Sequence, residues 1–318
     1  MTATDSLRRD ARWRWWELAL FAALPLAWWL LPGQSLLLNE IAITALFAVS
    51  LDLILGYAGI VSLGHAAFFG LGAYTAALFA TGVMPEPLAG LGVAIVASSL
   101  TGLASSVLIL RGTDLTRLMV TLGVALLLYE LANKLDWLTG GADGMQVAVA
   151  PLAGRFEFDL AGRTALAYSL IVLAAALFIA RRVVHSPFGL SLQALRDNRL
   201  RAASIGLSVP LRLVAIYTLS AALAGAAGAL LAQTAGIASL DMFGFERSAD
   251  ILLVLVIGGT GYLYGGIFGA IAFKLLHDLI ATWTPEYWNF WVGLFLVVLM
   301  MVGRERLVRP WTWWRRAR

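Results

Sequence analysis

Long apolar runs fill most of this sequence, and they restrict what it can fold into more than any other feature. Hydrophobic residues make up 60% of the 318 positions and charged residues only 13%. That is too little charge for a soluble domain of this size, so the sequence predicts an all-α integral membrane protein with many spans. Runs long enough to cross about 30 Å of hydrocarbon lie near 14–31, 36–56, 59–80, 88–110, 115–135, 164–184, 211–238, 249–281 and 288–302.

Arginines at the two ends of the sequence indicate how the predicted spans are oriented. Arginine-rich segments stay on the cytoplasmic side of a membrane, so we predict that both termini are cytoplasmic and that the number of crossings is even. The run 249–281 is too long for one span and must cross twice, turning at the glycine cluster 257–269. The prediction is therefore about ten transmembrane helices, some of them broken. The end arginines are Arg8, Arg9, Arg12 and Arg14, and Arg304, Arg306, Arg309, Arg315, Arg316 and Arg318.

This orientation assigns a side of the membrane to the two largest polar segments. Residues 136–163, which contain TGGADG at 139–144, are predicted to lie outside. A loop of this kind either receives a binding protein through complementary surface charge or is an ordinary solvated loop, and the residues alone support both equally. Residues 181–212 are predicted to lie in the cytoplasm.

The cytoplasmic segment contains an arginine-rich motif, HSPFGLSLQALRDNRLRAASIGLSVPLR (185–212). Ser186 and Pro187 are typical of a helix start, because serine caps free N–H groups and proline is tolerated in the first turn. Apolar and polar positions then alternate, which predicts one or two short amphipathic helices. The apolar positions are Leu192, Leu195, Leu200 and Ile205, and the polar ones between them are Arg196, Asp197, Asn198 and Arg201.

Two functions fit such a helix pair in the cytoplasm. Ala202, Ala203 and Gly206 are small enough to enter a cleft on a partner protein. Alternatively, the pair is an interfacial element whose arginines bind the phosphates of membrane lipid. The residues alone support the two equally.

A second motif, GIVSLGHAAFFGLGAY (59–74), puts polar groups into an apolar span. Polar groups that face lipid are costly, so Ser62, His65 and Tyr74 are expected to face a neighbouring helix or a solute path. A helix break between Gly59 and Gly64 would expose backbone groups to a solute. The alternative is a tight helix interface with His65 hydrogen-bonded across it. The candidate path residues are Ser62, Gly64, His65, Tyr74, Gly258 and Gly259.

Charged residues inside the apolar runs form a third group of candidates. Lys274, His277 and Asp278 share one face of a predicted helix, and Lys274 can pair with Asp278 at this spacing. They either contact a polar solute or form a structural ion pair near the outer interface. Asp52 stands alone in its span, where it either caps a helix break or bonds to a neighbouring helix.

Motifs absent from the sequence exclude several function classes. There is no G-x-x-x-x-G-K-[ST] phosphate-binding loop, no H-E-x-x-H and no nucleophile elbow. The sequence has no cysteine, and its histidines at 65, 185 and 277 are not spaced as metal ligands. We predict that the chain is not an enzyme and carries no metal or cofactor. Its basic charge suits a membrane surface and is no argument for nucleic acid.

Four motifs in order resemble a known family, the M-type permease subunits of branched-chain amino-acid ABC importers. The resemblance covers about residues 41–303 and implies that the chain is a single permease domain over 1–318 of a bacterial inner membrane importer. It also implies four kinds of partner: a second, H-type permease, two cytoplasmic ATPases that bind ATP and magnesium, a periplasmic solute-binding protein, and membrane lipid. The motifs are GYAGIVSLGHAAFFGLGAYTAAL (56–78), LRGTDLTRLMVTLGVALLLYELANKLDWLTGGADGM (110–145), the SPFG…RDN…AASIG segment (186–206), and GGTGYLYGGIFGA (258–270).

The resemblance also implies that the cytoplasmic loop, 185–210, couples the permease to its ATPases. Arg199 departs from the family, which usually has glutamate there, and this predicts an unusually acidic docking surface on the ATPase. The solute stays open between branched-chain amino acids and urea, amides or aromatic and dicarboxylic acids. An ion-coupled secondary transporter is the less favoured alternative. The implied coupling residues are Ser186, Pro187, Gly189, Arg196, Asp197, Asn198, Arg199, Arg201, Ala202, Ala203 and Gly206.

Overall fold

The computed structural model describes residues 14–110, 112, 114–148, 150–152, 154–159, 161–283, 290, 291, 293 and 294. Most of the predicted last span, 288–302, lies outside the described residues. The same holds for every end arginine except Arg14, so the predicted positions of the termini stay predictions.

The described chain is almost entirely helical, as the apolar runs predict. Within the described ranges the named strands form one antiparallel pair of two residues each, β1 (Met145–Gln146) and β2 (Ile237–Ala238). The helices are α1 (Trp15–Leu30), α2 (Ser35–Asp52), α3 (Ala66–Gly82), α4 (Pro87–Ile109), α5 (Asp114–Lys134), α6 (Asp136–Thr139), α7 (Arg163–Val184), α8 (Pro187–Asp197), α9 (Arg199–Ser204), α10 (Val209–Ala235), α11 (Phe245–Gly258) and α12 (Gly265–Trp283). Short 3₁₀ turns cover Pro32–Gln34, Gly141–Asp143 and Leu240–Phe243, and a π turn covers Leu53–Tyr57.

Several of these helices are long and apolar enough to cross a membrane. Within the described residues, five meet the length and hydropathy that a span requires. Two shorter apolar helices, α1 and α3, accompany them. The five are Ser35–Tyr57, Pro87–Ile109, Leu115–Lys134, Arg163–Val184 and Val209–Ala235. The protein is therefore a multi-pass membrane protein.

Helix α10 lies at the centre, packed on α2, α3 and α4. Its small residues permit this, because helices in lipid associate by close packing rather than by the hydrophobic effect. A side chain on Gly72 of α3 would collide with the carbonyl oxygen of Gly225 in α10, and one on Gly225 with Ser98 of α4. The small residues of the run 219–230 make this close approach possible.

Two apolar runs are interrupted at glycine clusters. Helix α2 ends in the π turn, and the chain stays non-helical over 58–65 until α3 begins, so the run predicted over 59–80 is helical only in its later part. The run 249–281 turns at 259–264, where Gly259 and Gly261 take φ of 105° and 75°. Such angles suit glycine and end a helix. The predicted turn within 257–269 is confirmed.

The segment 136–163 folds back on the helix ends rather than extending into solvent. Its strand β1 pairs with β2, Val147 N donates to Gly236 O at 2.9 Å, and Ala150 N donates to Pro85 O at 2.7 Å. At its far end the Thr164 amide donates to Asp159 at 2.9 Å and holds the pKa of that carboxyl below its usual value. These bonds fix the segment to the ends of α4 and α10.

Candidate coupling and translocation site

Side-chain caps shape the segment between α7 and α10. The Ser186 hydroxyl accepts from Gly189 N at 3.3 Å, and Pro187 occupies the first turn of α8. Asn198 has extended backbone that ends α8, and its side-chain oxygen accepts from Arg201 N at 3.0 Å to start α9. Each cap satisfies an amide that a helix start leaves free. The prediction of one or two short helices that start at Ser186 is confirmed as two.

The two helices bury different faces from those that a continuous pattern predicts. Leu192 and Leu195 of α8 are fully buried, whereas Leu200 and Ile205 are 83% and 70% exposed. The break at Asn198 rotates α9, so the apolar period of α8 does not continue through it. Ala202 was expected to fit a partner's cleft, but it is 2% exposed and packs into the protein's own core.

Arg196 points toward the protein. Its guanidinium Nη1 donates to the carbonyl oxygen of Gly56 in the π turn, and its stem lies so close to Gly59 that an added Cβ there would be 2.8 Å from Arg196 Cγ. Arg201 is exposed on the same segment. The Arg196 side chain is itself 44% exposed, and its Nε lies 3.8 Å from Asp197 Oδ1, so both arginines are accessible on this segment, but Arg196 also reaches the π turn.

Asp52 has a backbone partner across the molecule. It is fully buried at the end of α2, and its Oδ1 accepts from Gly261 N, in the turn between α11 and α12, at 2.7 Å. Of the two alternatives for Asp52, the structure has the bond to a neighbouring element. No local sequence pattern indicates this partner, because 209 positions separate the two residues.

His65 lies in a fully buried group of hydroxyls at the centre. Its Nε2 is 3.0 Å from Ser50 Oγ and 3.4 Å from Ser220 Oγ. Each hydroxyl donates its own proton to a carbonyl, Ser50 to Phe47 O at 2.6 Å and Ser220 to Ser50 O at 2.5 Å. Nε2 must then carry the hydrogen, because both hydroxyls are left only as acceptors. His65 thus bonds across a helix interface, as the structural alternative predicted.

The other candidate path residues are also enclosed in this conformation. Ser62 is fully buried, and its hydroxyl makes no hydrogen bond to any described residue. Tyr74 is 3% exposed and lies on Phe243, with ring centroids 5.5 Å apart. Gly64, Gly258 and Gly259 all lie at the two helix interruptions. A role in a solute path stays a prediction for all six.

The cluster in α12 has a partner outside its own helix. Lys274 Nζ lies 2.8 Å from Glu40 Oε2 of α2, with 17% and 53% of their side chains exposed. His277 and Asp278 follow one turn later on α12. The spacing of Lys274 and Asp278 did not predict the pair with Glu40. The sequence indicates such a pair only in that Glu40 is a charged residue near the start of another span.

Sequence analysis missed one buried ion pair. Arg181, in the last turn of α7, donates to Glu17 Oε2 of α1 at 2.9 and 3.1 Å, and both side chains are almost fully buried. An acidic residue at the end of one apolar run and a basic residue at the end of another are the sequence pattern that indicates such a pair. A cavity of about 260 Å³ lies beside it, lined by His185, Gln193 and the 261–264 turn.

Within the described ranges, no three His, Cys, Asp or Glu residues come together as metal ligands. The polar groups of this region instead bond to backbone at helix interruptions, as Arg196 and Asp52 do, or pair with other side chains, as Arg181 does with Glu17.

A family model described as "Branched-chain amino acid transport system / permease component" matches residues 35–302. The chain belongs to this family. The match includes both interruptions as well as α8 and α9, so all four lie within the permease family's matched region. No solved structure matches the chain.

Curated relatives of this permease include two proteins named "High-affinity branched-chain amino acid transport system permease protein LivM". One is from Salmonella typhimurium and one from Escherichia coli, and each is 31% identical over 294 residues, covering 84% of this chain and 68% of the relative. An "Autoinducer 2 import system permease protein LsrC" from an Enterobacter species is 29% identical over 223 residues, covering 67% of this chain and 62% of the relative.

Proposed function

We propose that this permease is one half of the membrane channel of an ATP-driven importer for branched-chain amino acids in a bacterial inner membrane. The observation that carries the proposal is the similarity to permeases named for high-affinity branched-chain amino-acid transport over 84% of the chain. A second, H-type permease would complete the channel. Two cytoplasmic ATPases would supply the energy, and a periplasmic binding protein would deliver the solute.

Ten crossings with both termini in the cytoplasm is the topology that we propose. Nine apolar helices of the described chain, α1–α5, α7 and α10–α12, would supply nine crossings, and the run 288–302 the tenth. Alternation of sides supports this order. Helix α8 touches the π turn at the inner end of α2 through Arg196, while the Lys274–Glu40 pair and the β1–β2 pair belong to the opposite end.

The exposed face of α9 would be the ATPase-docking surface. Leu200 and Ile205 expose apolar side chains there beside Arg201, and such combinations are typical of protein interfaces. Arg199 adds to the positive charge of this helix, so the partner surface should be acidic. A helix that binds membrane lipid would use the same residues. The experiment must therefore measure whether α9 binds an ATPase.

Affinity purification in mild detergent tests both the partners and the docking surface. The wild-type permease should co-purify with two ATPase subunits and a second permease. Arg201→Glu should weaken the retention of the ATPase by about tenfold or more, because it reverses charge in an interface, while the second permease is retained. Arg182→Glu, an exposed change on α7, is the matched control. Equal retention in all three proteins would contradict the assignment of α9.

Branched-chain amino acids are the leading solute, and urea, amides and aromatic or dicarboxylic acids are the alternatives for the same machinery. The relatives include permeases named for autoinducer 2 import, so one fold serves different solutes. Ligand screening of the cognate binding protein would decide. An ion-coupled transporter would instead show uptake by this chain alone, abolished by an ionophore and indifferent to ATP.

A further inference from the structure

Two interrupted helices meet the cytoplasmic helix α8 at one place. The interruption after α2 and the turn between α11 and α12 are about two hundred residues apart, yet a side chain on Gly56 would collide with both Gly261 N and the Asp52 carboxylate. A Cβ on Gly261 would in turn lie 3.2 Å from Gly56 O. The two interruptions therefore pack backbone against backbone, which only residues without a side chain permit.

Two charged side chains satisfy the backbone groups that these interruptions leave free. Arg196 Nη1 donates to Gly56 O, and Asp52 Oδ1 accepts from Gly261 N at 2.7 Å. Helix ends leave amides and carbonyls without partners, and hydrogen bonds with one charged member are about twice as strong as neutral ones. Each interruption thus has one strong bond to a side chain from another element.

Arg196 also fits between the two interruptions rather than beside one of them. Its stem lies against Gly59, and an added Cβ on Gly261 would be 3.1 Å from its Nη1. Tyr57, which ends the π turn, lines the same cavity as Gly261 and Leu263 of the other interruption. Side chains from α8 and α2 therefore hold one assembled junction.

We infer that Arg196 and Asp52 are positioning residues that make α8 and both helix interruptions move as one body during transport. The inference rests on the proposed function, because α8 is displaced only when an ATPase acts on the loop that carries it. Displacement of α8 then pulls Gly56 through Arg196, and Gly261 follows through Asp52. The interruptions belong to α2, α3, α11 and α12, so four spans respond to one helix.

Uptake and ATP hydrolysis of the complete importer in proteoliposomes are the first readout. Arg196→Gln and Asp52→Ala should lower ATP-driven uptake about tenfold, the value of one charge-assisted hydrogen bond, while ATP hydrolysis continues. Arg196→Lys and Asp52→Asn keep a donor and an acceptor and should restore most uptake. The double variant should lose no more than the worse single variant, because both act on one junction. Arg182→Gln, exposed on α7, is the matched control.

Spin-label distances test the rigid-body movement itself, and the sequence contains no cysteine that would interfere. Labels at Leu190 of α8 and Thr260 of the turn are both on exposed positions. Their distance should be the same in nucleotide-free and ATP-trapped wild-type importer, and it should differ between these states in Arg196→Gln. A pair at Leu190 and Met84, which lies at the opposite end of the molecule, should change in both proteins.

The outcomes separate this inference from the proposed function. A wild-type complex without ATP-driven uptake would overturn the proposed function, and the inference with it. A wild-type complex that transports, while Arg196→Gln and Asp52→Ala transport equally well, would overturn the inference alone. A 190–260 distance that changes as much as the 190–84 distance in wild-type importer would do the same.

Discussion

At the scale of single residues, His65 shows how a buried polar group is tolerated in a membrane core. Because its Nε2 hydrogen is the donor to the Ser50 and Ser220 hydroxyls, His65→Leu would leave two buried acceptors without a donor. The expected loss in stability is about 1–3 kcal/mol, measured as the melting transition of the purified permease complex. His65→Gln, which keeps an N–H donor, should lose less. If His65→Leu melted at the wild-type temperature but bound solute more weakly, His65 would instead belong to the solute path.

Glycines at helix crossings give a second residue-scale prediction. A methyl group on Gly72 would collide with the backbone of α10, so Gly72→Ala should push α3 away and cost about 1–3 kcal/mol. The matched control is Gly92→Ala on α4, where nothing lies within 4 Å of the added methyl. That change should leave the melting temperature unchanged or raise it, since alanine favours helix. Equal losses in both variants would argue against the close crossing.

Residue roles were the hardest part of the site to predict from sequence. Ser186 and Pro187 act locally, so their capping role follows from spacing alone. Arg196 and Asp52 act on backbone atoms far along the chain, and no local pattern specifies such partners. Leu200 fits the apolar period of α8, but the break at Asn198 removes it from that face.

At the scale of elements, the Ser186 cap stabilises the first turn of α8, the helix on which the proposed coupling depends. Ser186→Ala removes the hydroxyl that accepts from Gly189 N and should cost α8 about 1 kcal/mol. The result should be faster amide hydrogen exchange in the first turn of α8. Ser208→Ala is the control, because Ser208 precedes α10 without a side-chain cap bond. Unchanged exchange after Ser186→Ala would mean that packing of Leu192 and Leu195 alone holds α8.

Helix positions were largely predictable, whereas helix interruptions were only partly so. Apolar runs locate spans because every backbone group in lipid must be bonded within the segment. The turn inside 249–281 was predictable because the run is too long for one crossing. The non-helical stretch 58–65 was suggested by Gly59 and Gly64, but its extent depends on packing against other elements.

At the scale of the whole molecule, the proposed topology predicts which exposed residues lie on each side of the membrane. Single cysteines at exposed Leu200 and Thr260 should react only with reagents that reach the cytoplasm, and one at exposed Trp137 only with reagents outside. The physical reason is that an impermeant maleimide cannot cross the bilayer. Labelling of all three positions from one side would contradict the proposed order of crossings.

The central claim is that this permease moves solute only when partner ATPases drive it. The most direct measurement is uptake of labelled leucine into proteoliposomes that contain the permease with its co-purified partners and the solute-loaded binding protein. The account predicts uptake that requires ATP on the ATPase side, is unaffected by an ionophore, and is lost when the permease is reconstituted alone. Uptake of leucine by the permease alone, driven by an ion gradient and independent of ATP, would contradict it.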